Sequence, residues 1–409
     1  MKILRALSPL AALMVVAGIA PAEESRPGFA ALGREVVARV RDEFLDAERA
    51  ARWAEENAGY ADRITDAEAF RRETRRRLAD LRTSHTAYYT PDDPGYYELL
   101  SIFEPVLKKP AETESLGLAA VELEDGWFVA RVFAGGPAEA AGVRRGDRIV
   151  AADGQPFHPR RSLAGKAGKT VALEVRSRKD GPARTVSIIP RRVDPKQEWL
   201  DAQRAGTRVL EVQGRRVGYA PLWSCAGAQF QEALEESLQG DLAQADTLVV
   251  DLRGGWGGCN PTFVNLFNPM VPEMERIDRK GERSTFSASW RKPLVLLVDG
   301  GSRSGKEMVA RALQRRGRAV LVGERTVGAV VAGKPILLSD GSLLYLAVED
   351  VRVDGERLEG VGVTPDVVVP AELPYAEGRD AQLERAVLPN LKQLPPARDS
   401  GVRNGLRRR

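Results

Sequence analysis

The stretch that decides the fold is Leu-Val-Leu-Leu-Val-Asp-Gly-Gly-Ser-Arg-Ser-Gly, residues 294–305. Its first five residues form a continuous apolar run, which is typical of a strand buried on both faces of a sheet. Glycines end the run, and a helix is predicted from Glu307 to Gln314. A second apolar run, Thr247 to Leu252, leads in the same way into Arg-Gly-Gly-Trp-Gly-Gly, residues 253–258. We therefore expect a largely parallel sheet with two glycine-rich loops at its carboxyl edge, where such sheets bind ligands.

Ser304 is the first candidate functional residue at this edge. It stands in a glycine-rich turn at the predicted start of a helix. Free backbone N–H groups and the positive end of the helix dipole favour a developing oxyanion there. Serine is also a favoured N-cap residue, so the local sequence leaves a purely structural role open as well.

The chain has two histidines, His85 and His158. His158 lies between Phe157 and Pro159 in a predicted surface loop, whereas His85 lies in the polar cluster Thr-Ser-His-Thr, residues 83–86. An imidazole titrates near neutral pH and suits general-base work on a serine, although a lone histidine can equally be structural. If Ser304 is a nucleophile that uses a histidine, His85 is the better candidate.

The segments that precede the sheet predict two further units. Apolar residues recur at helical spacing from Phe29 to Leu81, with a helix predicted from Asp66, which suits an N-cap, to Leu81. A polar loop is expected from there to Pro94. From Ser115 to Pro190 short strand-like runs alternate with Gly and Pro turns, which indicates a β-rich unit.

The first residues predict a secretory signal peptide. Lys2 and Arg5 precede an apolar run, Leu10 to Ile19, and Ala-Pro-Ala, residues 20–22, supplies small residues for cleavage. The run is too short to span a bilayer comfortably. We therefore expect a secreted or periplasmic protein with no integral membrane segment after signal cleavage.

The composition is that of an ordinary globular protein. Hydrophobic residues make up 43% and charged residues 29% of the 409 residues, and the formal net charge is +4. Because acidic and basic residues are interleaved and no basic stripe with aromatics appears, we expect no nucleic-acid binding. Cys225 and Cys259, with one histidine in reach, do not form a zinc pattern, so we expect no metal site. In an oxidising compartment they can pair, or they can remain two buried thiols.

Residues 115–190 resemble the bacterial form of the PDZ domain. The resemblance lies in Gly-Gly-Pro-Ala-Glu-Ala-Ala-Gly-Val, residues 135–143, and Gly-Asp-Arg-Ile-Val-Ala-Ala-Asp-Gly, residues 146–154. Such domains dock an extended C-terminal peptide as an added strand and hold its carboxylate with backbone N–H groups. The resemblance places Leu116, Gly117 and Leu118 at the carboxylate-binding loop. A domain that only scaffolds or gates the enzyme is the alternative.

The segment from Val209 to Val369 resembles the catalytic core of the C-terminal processing (tail-specific) serine peptidases and their tricorn-core relatives. Four motifs carry this resemblance: Val-Val-Asp-Leu-Arg-Gly-Gly-Trp-Gly-Gly at 249–258, Asp-Gly-Gly-Ser-Arg-Ser-Gly-Lys-Glu at 299–307, Gly-Arg-Ala-Val-Leu-Val-Gly-Glu-Arg-Thr-Val-Gly at 317–328, and Glu-Gly-Val-Gly-Val-Thr-Pro-Asp at 359–366. The resemblance implies that Ser304 is the nucleophile. It also implies an oxyanion hole formed by the N–H of Gly305 and one from Gly257 or Gly258, with no cofactor. A disulfide between the two cysteines would brace that loop.

The resemblance also selects a base. In the processing-peptidase branch a catalytic lysine directly follows the Thr-x-Gly element, but this chain has Ala329 there. The tricorn-like branch instead uses a Ser-His pair on the helical leader and a glutamate in the fourth motif. This chain has Ser84, His85 and Glu359 at those places. The resemblance therefore implies His85 as the base, oriented by Ser84 and Glu359.

Two lysines bear on the alternative of a Ser/Lys peptidase. Lys306 follows Ser304 by two positions in a helix and is expected to point away from it. Lys334 is the remaining amine that could reach the serine.

The sequence thus predicts a multidomain α+β protein. Its parts are a helical N-terminal leader, a β-rich PDZ-like domain and an α/β peptidase core with a mostly parallel, crotonase/ClpP-like sheet. The predicted divisions are a signal peptide (1–22), a helical N-terminal domain (23–110), the PDZ-like domain (111–192), the tail-specific peptidase core (193–390) and a basic tail (391–409).

The predicted function is an exported serine endopeptidase guided by its PDZ domain. Its partners are polypeptide substrates, which it cleaves at unfolded or C-terminal segments. Two alternatives stay open: a catalytically inactive peptide-binding or chaperone-like relative, and a Ser/Lys peptidase that uses Lys334.

Overall fold

The computed structural model describes residues 28–287 and 289–389. The predicted signal peptide (1–22) and the predicted basic tail (391–409) lie outside these residues. Within the described part, no helix combines the length and the apolar character needed to cross a bilayer.

Helices and strands follow one another in three groups along the chain. The first group is mainly helical and comprises α1 (Phe29–Glu43), α2 (Ala47–Glu56), α3 (Ala67–Ala79), β1 (Ala87–Tyr89), α4 (Pro94–Ile102) and α5 (Glu104–Leu107). The second is mainly β and comprises β2 (Thr113–Ser115), β3 (Leu118–Leu123), β4 (Gly126–Val132), α6 (Pro137–Ala140), β5 (Arg148–Ala152), β6 (Gln155–Pro156), β7 (Val171–Arg176), β8 (Arg184–Ile188) and β9 (Arg191–Val193). The third alternates helices and strands: α7 (Pro195–Gly206), β10 (Arg208–Val212), β11 (Arg215–Pro221), α8 (Ala228–Gln239), β12 (Thr247–Asp251), a 3-10 helix (Pro261–Phe267), β13 (Glu273–Ile277), β14 (Arg283–Ser287), β15 (Leu294–Val298), α9 (Gly305–Arg315), β16 (Val320–Gly323), β17 (Ala332–Leu337), β18 (Leu343–Glu349), β19 (Arg352–Val353), β20 (Glu356–Arg357), β21 (Val367–Val368) and α10 (Ala381–Ala386).

The third group is built on a six-stranded sheet with the order β10-β11-β12-β15-β16-β21. Strands β11, β12, β15, β16 and β21 run parallel, and β10 pairs antiparallel with β11 at one edge. Alternate residues of the apolar strands enter two different cores: Leu248 packs with Phe230 of α8 and Val309 of α9, whereas Val249 packs with Ala386 of α10. Helices on both faces explain why these strands are apolar along their whole length.

The N-terminal helices pack on the third group through a second sheet, with the order β1-β18-β17. Residues of α1, α2 and α3 share one core cluster with Val331, Ile336, Leu344 and Leu346. The expected helix from Asp66 is present as α3, and the Asp66 side chain accepts from the backbone of its first turn. The loop expected up to Pro94 is wrong at residues 87–89. These residues form β1, because they pair with β18 at its free edge.

The second group forms a sheet with the order β3-β4-β5-β7-β8, in which β6 also pairs with β5. Strand β3 is an edge strand, since it pairs only with β4 among the described residues. The group touches the main sheet through Arg131 of β4, whose guanidinium binds the Asp251 carboxylate at 2.7 and 3.1 Å. Asp251 ends β12, so this contact lies directly beside the carboxyl edge of the main sheet.

Candidate active site

Two loops meet at the carboxyl edge of the main sheet. The glycine loop (residues 254–258) follows β12, and the serine turn (residues 299–304) follows β15. A Cβ built on Gly257 would lie 2.6 Å from the Cβ of Ser304 and 2.9 Å from the backbone N of Gly305. Only glycine therefore permits this approach of the glycine loop to Ser304.

Ser304 has an unusual backbone conformation at the N-cap of α9, with φ 57° and ψ −127°. Positive φ is rare for a residue with a side chain and costs free energy, so the surroundings must impose it. Here the Ser304 N–H donates to the Ala329 carbonyl at 2.7 Å and to Glu307 Oε2 at 3.2 Å. His85 also has a positive φ, 54°. The two leading sequence candidates thus both occupy strained positions.

The three glycines predicted for an oxyanion hole are distributed around Ser304. Gly257 lies against it, Gly305 is the first residue of α9, and Gly258 faces Ala226. The backbone N–H groups of Gly257 and Gly258 donate to no other residue in the described part of the chain. The N–H of Gly305 belongs to the first helical turn, which has no intrahelical acceptor. Amides of this kind can bind a developing negative charge.

A disulfide joins Cys225 to Cys259 and holds the end of the glycine loop. Cys225 follows β11, and its backbone N–H donates to the Gly257 carbonyl at 2.9 Å. On the other side, a Cβ on Gly305 would lie 2.5 Å from the backbone N of Cys259. Of the two states that the sequence left open for these cysteines, the paired one is present. The bridge therefore ties the glycine loop to the segment after β11, beside the start of α9.

A chain of hydrogen bonds connects His85, Ser84 and Glu359. The His85 Nδ1 and the Ser84 Oγ are 2.8 Å apart, and the Ser84 Oγ donates to Glu359 Oε2 at 2.8 Å. The Ser84 backbone N–H donates to Glu359 Oε1 at 2.7 Å. Glu359 is 7% exposed, so this carboxylate is a buried group rather than a surface acid. Residues 275 positions apart are therefore assembled into one unit.

This chain of hydrogen bonds fixes the tautomer of the His85 imidazole. An ionised carboxylate can only accept, so the Ser84 hydroxyl donates to Glu359 and accepts from His85 Nδ1–H. The neutral ring then carries its lone pair on Nε2, which is the nitrogen available to accept a proton. Burial acts to raise the pKa of Glu359, but hydrogen bonds from Ser84, Val330 and Val331 outweigh it and hold the pKa below its usual value.

The same carboxylate links His85 to the surroundings of Ser304. Glu359 Oε2 also accepts from the backbone of Val330 at 2.8 Å and of Val331 at 3.2 Å. The preceding residue, Ala329, is the one whose carbonyl accepts from Ser304. Within residues 28–287 and 289–389 no hydrogen bond joins the His85 ring to Ser304 itself. Residues 329–331 therefore form the connection between the two halves of the site.

The electrostatic setting keeps His85 neutral. Burial and, to a smaller extent, the Arg303 guanidinium lower its pKa to about 4, against the opposing effect of Glu359. The ring centre of His85 lies 5.3 Å from that of Tyr345.

His158 lies apart, in a turn of the second group, where its Nδ1 accepts from the backbone of Arg160.

Neither Lys306 nor Lys334 forms a hydrogen bond with Ser304 in the described residues. Position 329, where the lysine branch has its base, holds a buried alanine methyl. Lys334 forms an ion pair with Glu43 of α1 at a half-exposed position. Lys306 is fully buried and donates to the carbonyls of Gly254 at 2.8 Å and Trp223 at 3.2 Å. Burial lowers the pKa of Lys306 to about 7. Its amine thus ties α9 to the glycine loop, a role that the sequence analysis missed.

Glu307 is a second residue that the sequence analysis missed. It is fully buried and accepts from Ser304, Gly328 and Ala329 backbone N–H groups and from the Thr326 hydroxyl. Burial raises its pKa against these hydrogen bonds. The pattern Ser-x-x-Glu at the start of a helix, residues 304–307, is a capping-box signal that could have identified it.

A cavity of about 340 Å³ lies between the second group and the carboxyl edge of the main sheet. Leu116 and Leu118, at the predicted carboxylate-binding loop, line it from one side, and Gly254 and Trp256 of the glycine loop line it from the other. Between the two leucines, Gly117 has φ 71° and packs so tightly on residues 136–137 that a Cβ would lie 2.8 Å from the Pro137 ring. The cavity therefore extends from β3 to the serine turn, where Asp299 and Arg303 also line it.

Comparisons with known proteins agree with this arrangement. Residues 216–369 match the family described as Peptidase family S41, and residues 128–177 match the PDZ domain. A carboxyl-terminal-processing protease from Picosynechococcus is 31% identical over 254 residues, which are 58% of this chain and 59% of that protein. A tricorn protease homologue from Streptomyces coelicolor is 28% identical over 380 residues, 83% of this chain and 30% of that protein. The crystal structure of the tricorn protease superposes with a TM-score of 0.54 at 21% identity, over 86% of this chain and 35% of that one.

The matches thus relate residues 216–369 to the S41 peptidases and residues 128–177 to PDZ domains. The predicted resemblance to the C-terminal processing and tricorn-like peptidases is thereby confirmed. The chain spans about three-fifths of the length of the carboxyl-terminal-processing protease that it matches.

Proposed function

We propose that this chain is a serine endopeptidase in which Ser304 is the nucleophile and His85 its base. The observation that carries this proposal is the partly buried chain of hydrogen bonds from Glu359 through Ser84 to His85. It supplies an imidazole of defined tautomer at the segment that also holds the strained Ser304. The serine, the oriented histidine and the carboxylate then have the three roles of a hydrolytic triad, with Ser84 as a fourth member.

In the proposed mechanism His85 Nε2 takes the proton of the Ser304 hydroxyl as its oxygen attacks the scissile carbonyl. The N–H groups of Gly305 and of Gly257 or Gly258 bind the resulting oxyanion, and each such donor lowers the barrier by about 3 kcal/mol in known cases. The imidazolium gives its proton to the leaving amine, and an acyl-enzyme remains. Water, activated by the same imidazole, then releases the acid product.

We infer polypeptides with accessible C-terminal or unfolded segments as substrates. Three features support this: edge strand β3 is free to accept an extended peptide, Leu116 and Leu118 face the cavity, and the cavity reaches the glycine loop. We also infer export to the periplasm or the exterior. The composition of residues 2–22 and the disulfide between Cys225 and Cys259 favour an oxidising compartment.

The test is hydrolysis of a denatured protein by Ser304→Ala and His85→Ala variants. Each is expected to lower kcat by at least about 1,000-fold, because members of such a unit act together. His158→Ala and Lys334→Met serve as controls and are expected to retain activity, since neither side chain contacts the chain of hydrogen bonds. Full activity of His85→Ala would refute the histidine as base.

A peptide-binding protein without catalysis is the second candidate. The observation that favours it is the absence, within the described residues, of a hydrogen bond between His85 and Ser304. A serine-directed fluorophosphonate separates the two, because a binding protein does not react at Ser304. Loss of activity in Lys334→Met, with His85→Ala active, would instead indicate a Ser/Lys peptidase.

A further inference from the structure

Among the residues that the structure describes, one arginine of the cavity beside the serine turn has no anionic partner. Four arginines line this cavity, and three of them bind carboxylates: Arg131 binds Asp251, Arg160 binds Glu114, and Arg253 binds Asp251 and Asp380. The fourth, Arg303, forms no ion pair and no side-chain hydrogen bond with any residue in the described ranges, and its Nε is buried without a partner. A buried guanidinium donor without an acceptor is costly, so Arg303 is suited to bind an acceptor that enters the cavity.

Arg303 is held beside the reacting serine by contacts from both loops. It directly precedes Ser304 in the serine turn, and its guanidinium lies 5.0 Å from the ring centre of Trp256 in the glycine loop. The Trp256 indole is fixed in turn, because its Nε1–H donates to Glu98 at 2.6 Å. Stacking on an aromatic face leaves the N–H groups at the edge of a guanidinium free to bind an anion.

The acidic groups that share this cavity are occupied in other ways. Asp299 accepts from the backbone N–H groups of Gly254 and Gly301, both at 2.9 Å. Glu98 is bound by Trp256, and burial raises its pKa. Burial also raises the pKa of Glu198, to about 7. Among the described residues none of these acids forms an ion pair or a hydrogen bond with Arg303.

We propose that Arg303 binds a carboxylate of the polypeptide substrate close to the scissile bond, and so selects cleavage sites that carry one. This inference rests on the proposed peptidase function. A carboxylate matches the planar guanidinium in two parallel hydrogen bonds. It can come from an Asp or Glu side chain of the substrate or from the free C-terminus of the chain being shortened. In both cases the residue acts on specificity rather than on bond cleavage.

The test uses four peptides of one sequence, with Glu or Gln next to the cleavage site and with a free or an amidated C-terminus. The wild-type protein is expected to show a kcat/KM about 10- to 100-fold higher for a peptide that carries the recognised carboxylate. A Glu-against-Gln difference identifies the side chain, and a difference between the free and the amidated peptides identifies the C-terminus. In Arg303→Gln the ratio is expected to fall close to one. Arg316→Gln removes an exposed charge at the C-terminal end of α9, the helix that follows the serine turn, and is expected to keep the wild-type ratio.

A binding measurement separates this inference from the proposed function. Fluorescence anisotropy of the same labelled peptides is recorded with Ser304→Ala and with the double variant Ser304→Ala/Arg303→Gln. A preference for the carboxylate that disappears with Arg303 supports the inference even if the wild-type protein hydrolyses nothing. Equal binding and equal hydrolysis of all four peptides, or a preference that survives in Arg303→Gln, would overturn it.

Discussion

The surroundings of His85 keep its imidazole neutral at pH values well below the usual pKa of a histidine. Burial and the Arg303 charge lower its pKa to about 4. Glu359, which opposes them, is held by four donors and defines the ring nitrogen that carries the proton. A general base must be unprotonated to act, so this environment determines the acid limit of the proposed reaction.

The expected pH profile follows from this pKa. A histidine of ordinary pKa, about 6.5, would be only about one-tenth neutral at pH 5.5, whereas His85 remains almost fully neutral there. We expect kcat/KM to stay near its maximum at pH 5.5 and to fall only as the pH approaches about 4. Peptide hydrolysis across this range measures it, with circular dichroism at each pH to verify folding. Activity confined to alkaline pH would contradict a histidine base. Glu359→Gln is expected to lower the rate at every pH, because Ser84 loses the carboxylate that fixes the direction of its hydroxyl and the ring loses the charge that supports its basicity.

The sequence predicted this group of residues to different depths. Ser304, His85, Ser84 and Glu359 were identified through motif resemblance, and the structure joins the last three directly. The role of Lys306 was missed because helical spacing indicates where a side chain points but not which backbone carbonyls it contacts. The two carbonyls that bind its amine, those of Trp223 and Gly254, lie in segments that follow different strands, and only the assembled fold brings them together.

The glycine loop is the element on which the proposed oxyanion hole depends. Its approach to Ser304 requires glycine at 257, and its far end is tied by the bridge between Cys225 and Cys259. The bridge closes a segment with a sequence separation of 34 residues. A crosslink of this span limits the unfolded chain and is worth about 3–4 kcal/mol in the chain-entropy model.

We therefore expect the Cys225→Ala/Cys259→Ala variant to lose stability and activity together. Its free energy of unfolding should drop by about 3 kcal/mol, because the unfolded state regains the freedom that the bridge removes. Its kcat should drop by about tenfold or more, because misplaced backbone donors stabilise an oxyanion poorly. Urea titration and peptide hydrolysis measure the two effects. Unchanged hydrolysis in a folded variant would show that the glycine loop keeps its position without the bridge.

At the level of elements the strands were easier to predict than their partners. The strands β5 and β15 lie where apolar runs and turns indicated them, because a buried strand consists largely of apolar residues that can be recognised in the sequence. Strand β1 was missed because residues 87–89 pair with β18, more than 250 positions away in the chain. Pairing of this kind is determined by tertiary contact rather than by local preference.

On the scale of the whole molecule, a buried ion pair joins the PDZ-like second group to the main sheet. Arg131 binds Asp251 and lies 5.3 Å from the centre of the Trp223 ring, while Asp251 also binds Arg253. Burial acts to raise the pKa of Asp251, but the two guanidinium groups hold it well below its usual range. The carboxylate is therefore charged and depends on both partners.

Arg131→Met is expected to weaken the attachment of the PDZ domain. Removing one partner of a buried pair costs about 3–5 kcal/mol, and the lower end applies here because Arg253 remains. Hydrogen exchange should become faster in β4 and around Trp223, and the free energy of unfolding should fall. Lys166→Met, which removes an exposed ion pair with Asp153 inside the same domain, is the matched control and should change little. Equal exchange rates in both variants would show that the domain is held by other contacts.

The packing of α1–α3 on β17 and β18 also sets the order in which the site can come into being during synthesis. The ribosome makes His85 early, Ser304 much later and Glu359 later still. The strands that cover the apolar faces of the first helices also emerge in this last part of the chain. A nascent chain therefore has neither an oriented imidazole nor a finished N-terminal core until its final quarter is free to fold. The proposed peptidase would therefore be inert toward its own unfolded segments while it is being made.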